Sequence, residues 1–284
     1  VAATAFQTSY RQEFIAGYEQ KQSLLRQAVT TDSIVKGNTA TFLIADSGGA
    51  STVTRGVNGL IPARADNLTQ VSCTLTEEHD LVRKTGFNIF ASQGDQRRIM
   101  QETSMGVVNR KADSQIITQL NTGTVTPSAT ATIMTLQLVT HAKAILGTNE
   151  VPFDGNIWGL LTPAAESYLL QVKEFGSADY VTSKPLQGAN AAWADQQGYY
   201  VWMGIKWIVH PNLPGVGTSA EKCFVFHSSA IGHAIDTGGM QVSVGYDDEQ
   251  DYSFARTSAY MGAKLLQNSG VVVINHDGSA LAAA

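Results

Sequence analysis

The stretch from Ser92 to Asn121 limits every architecture open to this chain, because its pattern is that of one unusually long helix. Ser92 stands as a cap with Asp95 three residues on, an S-x-x-D box. Met100, Val107, Val108, Ala112, Ile116 and Leu120 then recur at helical spacing as one apolar stripe, and Asn121-Thr122-Gly123 stops it. At ~1.5 Å per residue such a helix runs roughly 40 Å, longer than most helices in a globular domain. A rod of that length needs something extended to lie along it.

The residues before the helix are extended in character. Thr39 to Ala45 is rich in β-branched and aromatic residues and ends at the turn signal Asp46-Ser47-Gly48-Gly49. Val57-Asn58-Gly59 marks another turn, and Val71, Cys73 and Leu75 alternate with polar residues as in a strand with one covered face. The region from Ile34 to Thr85 thus reads as a long, polar, glycine-studded hairpin. It carries too little apolar surface to be stable alone in water, so it must lie on something else. Further upstream, Phe6, Tyr10, Phe14 and Tyr18 stand four apart and form an aromatic stripe on a helix. Two readings stand for that stripe: a core helix of the same subunit, or an arm docking on a neighbour.

Beyond the long helix, Leu136, Val139, Ala142, Ile145 and Leu146 predict a second helix closed by Gly147. Thr162-Pro163 opens a third, with cap and N1 proline in their favoured order and a stripe of Ala165, Tyr168, Leu169 and Val172 reaching Gly176. Ile157 to Leu161 is a buried strand. Tyr199 to Val209, broken at Met203-Gly204, is a strand pair or a bulged strand. Cys223 to Phe226 is a short strand, after which Ser228 or Ser229 caps a short helix through Ile235. Gln241 to Tyr246, Tyr252 to Leu266 and Val271 to Ile274 are three strands of a sheet that packs on the long helix, with the acidic loop Asp247-Asp248-Glu249-Gln250-Asp251 projecting from it.

Known chemistry finds little purchase. The 284 residues are 43% hydrophobic and 15% charged, enough to bury a sizeable core, and the net charge of −5 with no basic run argues against a dedicated nucleic-acid binder. Cys73 and Cys223 are far apart and read as small buried hydrophobes of a reduced protein. No apolar run approaches the ~20 residues of a membrane span, and Val1 to Ala5 is too short for a signal segment, so a soluble, non-secreted chain is expected. Nucleotide-binding glycine motifs, HExxH and GxSxG are absent, the six histidines are scattered, and adjacent His79 and Asp80 point to opposite faces of a strand. No catalytic residue, cofactor or metal is expected. Asp247, Asp248, Glu249 and Asp251 lack the order of a calcium loop and read as a solvated tip; copies meeting at a symmetry axis would need a cation, basic neighbours or protonation.

The order of parts resembles the HK97 fold, the major capsid protein of tailed bacteriophages. The resemblance is carried by Glu78-His79-Asp80-Leu81-Val82-Arg83-Lys84 before the long helix, by Asn156-Ile157-Trp158-Gly159-Leu160-Leu161-Thr162-Pro163, and by Ile205-Lys206-Trp207-Ile208-Val209-His210-Pro211. Phe254-Ala255-Arg256-Thr257-Ser258-Ala259-Tyr260-Met261-Gly262-Ala263 and Gly270-Val271-Val272-Val273-Ile274-Asn275 complete it, so it spans nearly the whole chain. It implies an α+β, HK97-like capsid fold: an N-arm (1–33), an extended β-hairpin E-loop (34–76), a P-domain with a long spine helix (77–121) and strands with a P-loop (235–269), and a mixed A-domain (122–234) completed by a C-terminal strand and tail (270–284). The P-loop, Tyr246 to Tyr252, would meet its copies at threefold or quasi-threefold positions.

The function implied is a subunit that self-assembles through hexamers and pentamers into an icosahedral head shell in the host cytoplasm and encloses double-stranded DNA without sequence-specific contacts. A separate scaffolding protein, or prior cleavage of an N-terminal scaffolding domain, is implied; a portal and a decoration protein are further partners, and no membrane. The Lys–Asn isopeptide bond of some members finds no matching positions here, and the resemblance yields no crosslink prediction. Inter-subunit contacts are expected at Phe6, Tyr10, Phe14, Tyr18, Arg97, Arg98, Asp247, Asp248, Glu249 and Asp251. Arg97, Arg98, Arg110 and Lys111 either pair with acidic residues of a neighbour's hairpin or form a solvated helix face. Three alternatives stand beside this: an encapsulin-like compartment of the same architecture, a hydrolase with a site at His227, Ser228 and Asp236, and a strand-rich tail-tube protein, against which the long helix argues.

Overall fold

The computed structural model describes residues 20–34, 37–64, 67–91, 95–173 and 199–281. Its strands are β1 (Thr30–Ile34), β2 (Thr39–Asp46), β3 (Asn67–Thr74), β4 (Thr76–Thr85), β5 (Ile157–Leu161), β6 (Tyr200–Trp202), β7 (Ile205–Val209), β8 (Glu221–His227), β9 (Ile231–Asp236), β10 (Gln241–Asp247), β11 (Tyr252–Leu265) and β12 (Val271–His276). Its helices are α1 (Gly86–Ala91), α2 (Gln96–Leu120), α3 (Leu136–Thr148) and α4 (Pro163–Leu170). The chain forms two compact units, one of residues 1–23, 77–112 and 238–260, the other of 24–76, 113–237 and 261–284. The aromatic stripe Phe6, Tyr10, Phe14 and Tyr18 lies outside the described residues.

In the first unit, β10 and the start of β11 form an antiparallel hairpin, paired from Gln241↔Ser258 to Asp247↔Tyr252, and β4 pairs with β11 as well. On β4 the side chains of Glu78, Asp80, Val82 and Lys84 are half-buried while their neighbours are exposed, the period of a strand covered on one face. The cover is the first part of α2. Ser104 donates from Oγ to the Asp80 carbonyl at 3.4 Å, and Arg97 Nη2 donates to Ser253 Oγ at 3.3 Å. Met100, Ser104, Val108 and Ala112, spaced by four, are buried; Val107, expected in the stripe, is 40% exposed. One residue on a helix is about 100° of rotation, which carries Val107 off the line that Val108 occupies.

The helix also starts later than Ser92. Asp95 caps it, its Oδ1 accepting from the Arg98 amide and its carbonyl from that of Ile99, both at 3.2 Å. Ser92 lies outside the described residues, and α1 is a separate short helix upstream of it.

The second unit is built on a sheet ordered β12-β8-β5-β7-β6, buried on both faces. Alternate residues serve different cores. Ile157 and Leu161 of β5, Cys223 and Val225 of β8, and Val272 and Ile274 of β12 join Val139, Ala142 and Leu146 of α3 and Leu169 of α4. Their strand neighbours Trp158, Leu160, Phe224, Phe226, Val271 and Val273 face a second core, where Ile116, Ile117 and Leu120 at the end of α2 meet Leu25, Ala28 and Val29. Burial on both sides makes these strands read as continuous apolar runs. Both helix caps are in place: Thr135 accepts from the Leu138 amide and Thr162 from that of Ala165, with Pro163 opening α4. That helix ends at Leu170 with Gln171 as its C-cap, short of Gly176, and Val172 packs on the core from beyond its end.

Two strand assignments differ from expectation. Ser228 to Ala230 is a single 3-10 turn, and the rest of the expected helix, through Ile235, lies in β9. It pairs parallel to β1 and antiparallel to Met261–Leu265 of β11, so its residues 231–235 are all buried and a continuous apolar pattern hides its period of two. The last three strands also do not share a sheet: β10 and β11 pair with each other, while β12 pairs with β8.

Candidate assembly surfaces

The hairpin β2–β3 is antiparallel in continuous register from Thr39↔Thr74 to Asp46↔Asn67. Its base is fixed to the second unit. Ala40 and Cys73 are buried against Ala234, and the Phe42 ring lies so close over Gly232 that a Cβ there would come within 2.8 Å of it. The tip has no such cover. Asp46 accepts from the Gly48 amide at 2.8 Å to close the first turn, and the Gly56 and Gly59 amides bond to the Leu60 and Gly56 carbonyls at 3.0 and 2.9 Å. Along the strands and turns of this ribbon Leu43, Val53, Val57, Leu60, Ile61 and Leu68 are all exposed. Six large apolar side chains on one projecting ribbon form a surface of the kind that marks an interaction site.

The described chain begins at a second fastening. Arg110 Nη1 donates to the Gln20 carbonyl at 3.1 Å and Asn109 Nδ2 to that of Lys21 at 2.9 Å. In the second unit the buried Asp113 carboxylate accepts from the Leu24 and Leu25 amides at 3.1 and 3.3 Å. His210 Nδ1 accepts from the Asn212 amide, which leaves its Nε2 as the protonated nitrogen, 3.5 Å from Asp113 Oδ2. Nearby in the same unit, His233 is fully buried and held neutral, its pKa pushed down to about 4 chiefly by burial and then by the Arg26 charge, with Asp113 opposing.

At the acidic loop, Asp247 Oδ1 accepts from the Glu249 and Gln250 amides at 3.0 and 3.2 Å, and Asp251 takes a left-handed φ of 48°. Tyr246 donates its hydroxyl to Asp251 Oδ1 at 2.5 Å, and that bond, more than burial, raises the phenol's pKa. Asp248 and Glu249 are exposed, and among the described residues no three His, Cys, Asp or Glu side chains are grouped to hold a metal ion. The Asp251 carbonyl accepts from the Gly86 amide at 3.2 Å, tying the loop to α1, whose Phe87 and Phe90 are 74% and 88% exposed.

The basic residues of α2 find partners within their own unit. Besides Arg97 and Arg110, Arg98 pairs with Glu102 at 3.4 Å and Lys111 with Glu78 at 3.4 Å. His79 bonds to Ser258 and Glu77 on the exposed face of β4, away from Asp80. The grouping of His227 with Ser228 and Asp236, which the hydrolase alternative requires, does not form. His227 instead bonds Ser229 Oγ at 2.7 Å and Asp154 Oδ1 at 3.1 Å, whose carboxyl is held down to about 2 first by the backbone and side chain of Asn156 and then by His227. Asp236 ends β9 opposite Ile34. Cys73 and Cys223 are both free and buried.

Each unit is α+β, no described helix is long and apolar enough to cross a membrane, and among the described residues the most exposed large apolar side chains sit on a hairpin and a short helix. Such a chain is a building block of a larger assembly, with the HK97-like capsid fold. The family model for phage capsid protein matches residues 2–278, and the chain belongs to that family of head-shell subunits. No curated protein matches it. Among solved structures it is similar to one from Mycobacterium phage Che8 (17% identity, 96% of this chain and 97% of that one, TM-score 0.72). It is similar also to the capsid of cyanophage P-SCSP1u (16%, 96% and 93%, TM-score 0.69) and to the capsid of a native GTA particle (12%, 96% and 95%, TM-score 0.65).

Proposed function

We propose that this major capsid protein reaches the closed head shell through hexamers and pentamers, with residues 1–33 as the N-arm, 34–76 as the E-loop, 77–121 and 235–269 as the P-domain, and 122–234 and 270–284 as the A-domain. The observation that carries this is the β2–β3 hairpin, whose base is buried in its own unit while its apolar tip is bare. Neighbouring subunits supply the missing cover. Each such contact is weak, and a closed surface lets every subunit make several at once, so stability comes from multiplicity. The arm, with Phe6, Tyr10, Phe14 and Tyr18, and the loop carrying Asp247, Asp248, Glu249 and Asp251 supply further contacts, and Arg97 and Arg98 lie on the helix between them in sequence.

The shell holds double-stranded DNA without reading its sequence and acts as a structural protein rather than an enzyme. It assembles in the host cytoplasm on a separate scaffolding protein, with a portal at one vertex and a decoration protein outside. Sedimentation velocity of the expressed chain, alone and with its scaffolding partner, tests the reading. Species of hexamer, pentamer and shell mass support it, and a compact monomer under both conditions overturns it.

A further inference from the structure

The register of β5 and β8 brings two loops of the second unit together. Ile157, which opens β5, pairs with His227, which ends β8, so the residues just before β5 meet those just after β8. The Ser228 amide donates to the Asn156 carbonyl at 3.0 Å and fixes the join. Asp154-Gly155-Asn156 is a tight turn: Gly155 takes a φ of 83°, which favours a residue without a Cβ, and the Asn156 amide donates to Asp154 Oδ1 at 3.0 Å. Three side chains line up at this join. Ser229 Oγ lies 2.7 Å from His227 Nδ1, and His227 Nε2 lies 3.1 Å from Asp154 Oδ1, although Asp154 is 73 positions away in the chain.

Neighbouring groups set the protons in this line. The Ser229 amide donates to His227 Nδ1 at 3.2 Å, so that nitrogen presents a lone pair and the ring proton sits on Nε2, facing Asp154. The Ser229 hydroxyl therefore donates to Nδ1 as well. Asp154 is a carboxylate in mildly acidic and neutral solution, its pKa held down to about 2 first by Asn156 and then by His227. A hydroxyl bonded to an imidazole whose far N–H is held by a carboxylate is the arrangement that activates a serine, because the ring takes the proton as the oxygen attacks and the carboxylate stabilises the imidazolium. The ring is used here with Nδ1 toward the serine, and either nitrogen serves as base once the other is protonated. His227 is buried and Ser229 exposed, so the nucleophile meets solvent while its base is held in place.

We propose that Ser229 is a nucleophile toward activated acyl and phosphonyl groups, with His227 as its base and Asp154 as a positioning residue. Ser229 Oγ forms the bond to the electrophilic carbon or phosphorus and its proton passes to His227 Nδ1. The leaving group departs with its electron pair, and the imidazolium returns the proton to water. The product is a subunit carrying one ester at Ser229, a single covalent event and not turnover. This chemistry belongs to the free subunit and is independent of the shell.

The test treats the purified chain with an alkyl fluorophosphonate, whose leaving group is fluoride, and maps the modified residue by peptide mass spectrometry. Expected is one phosphonyl group per subunit, on Ser229 and absent in Ser229→Ala, at a rate about 100-fold above that of the exposed Ser47 and Ser219, the factor a positioned base supplies. Asp154→Asn keeps an oxygen for the ring but not the charge; labelling is expected to slow by about tenfold or more, with melting little changed because that side chain is half-exposed. His227→Ala is expected to abolish labelling, and added imidazole to restore part of it, a recovery that a misfolded variant does not show. Labelling of Ser229 no faster than that of Ser47, or equal rates in the wild type and the Asp154 and His227 variants, overturns the assignment.

Discussion

Asp113 holds the backbone of Leu25 from beneath, its Oδ1 accepting the Leu25 amide at 3.3 Å while its other oxygen takes that of Leu24 at 3.1 Å. The two residues are 88 positions apart, and both are buried. A helix carboxylate thus satisfies two amides of a segment far earlier in the chain, where a buried donor left unpaired is costly. Asp113→Ala is expected to lower subunit stability by about 3 kcal/mol, since the buried Leu24 and Leu25 amides lose their acceptor. Asp113→Asn, which keeps one carbonyl oxygen, is expected to lose less. Thermal melting ranks the three proteins, and hydrogen exchange at Leu24 and Leu25 locates the loss; equal melting of all three contradicts the account.

Acid sensitivity follows from His233. Its folded pKa is about 4 against an ordinary 6.5, so between those values the unfolded chain binds the proton and the folded one does not. Stability contributed by the neutral ring is complete above pH 6.5 and is lost as pH falls toward 4, by up to about 3 kcal/mol. Melting temperature is expected to drop through that window, and His233→Leu, which removes the group that must stay neutral, is expected to flatten the slope. An unchanged slope would assign the acid response to other groups.

Gly159 lies beside Trp207 in the parallel pair of β5 and β7, where a Cβ would stand 2.2 Å from the ring. The indole is fully buried and cannot turn outward without opening the sheet. Gly159→Ala is expected to cost about 1–3 kcal/mol or more and to reduce the yield of folded subunit. A variant melting like the wild type would show that the strand pair has slack.

Hairpin tip and subunit core are separable. Val57→Ser, Leu60→Ser and Ile61→Ser together remove only exposed apolar surface, so subunit melting is expected to stay within about 0.5 kcal/mol of wild type. Shell yield is expected to fall sharply. Intact shells in normal yield from this triple variant would mean the tip is not covered by neighbours.

Local chemistry made much of the second unit legible. Thr162-Pro163 announced α4, Met203-Gly204 the turn between β6 and β7, and the alternation of Val71 and Cys73 the covered face of β3. What escaped depended on partners distant in the chain. β9 is a strand because β1, some two hundred residues earlier, lies beside it, while Ser228-Ser229 locally resembles a helix cap. Asp113 looked like one more polar residue on a helix, although its place between Ala112 and Ile116, both buried, was a signal that its side chain is buried too. Resemblance supplied the shell.

The central claim is that this subunit is completed by its copies, and electron microscopy of the purified expressed protein with its scaffolding partner tests it most directly. The account predicts closed icosahedral particles with hexameric and pentameric capsomers in which each hairpin crosses onto a neighbour. Particles whose hairpins fold back on their own subunits, or a preparation of lone compact subunits, would contradict it.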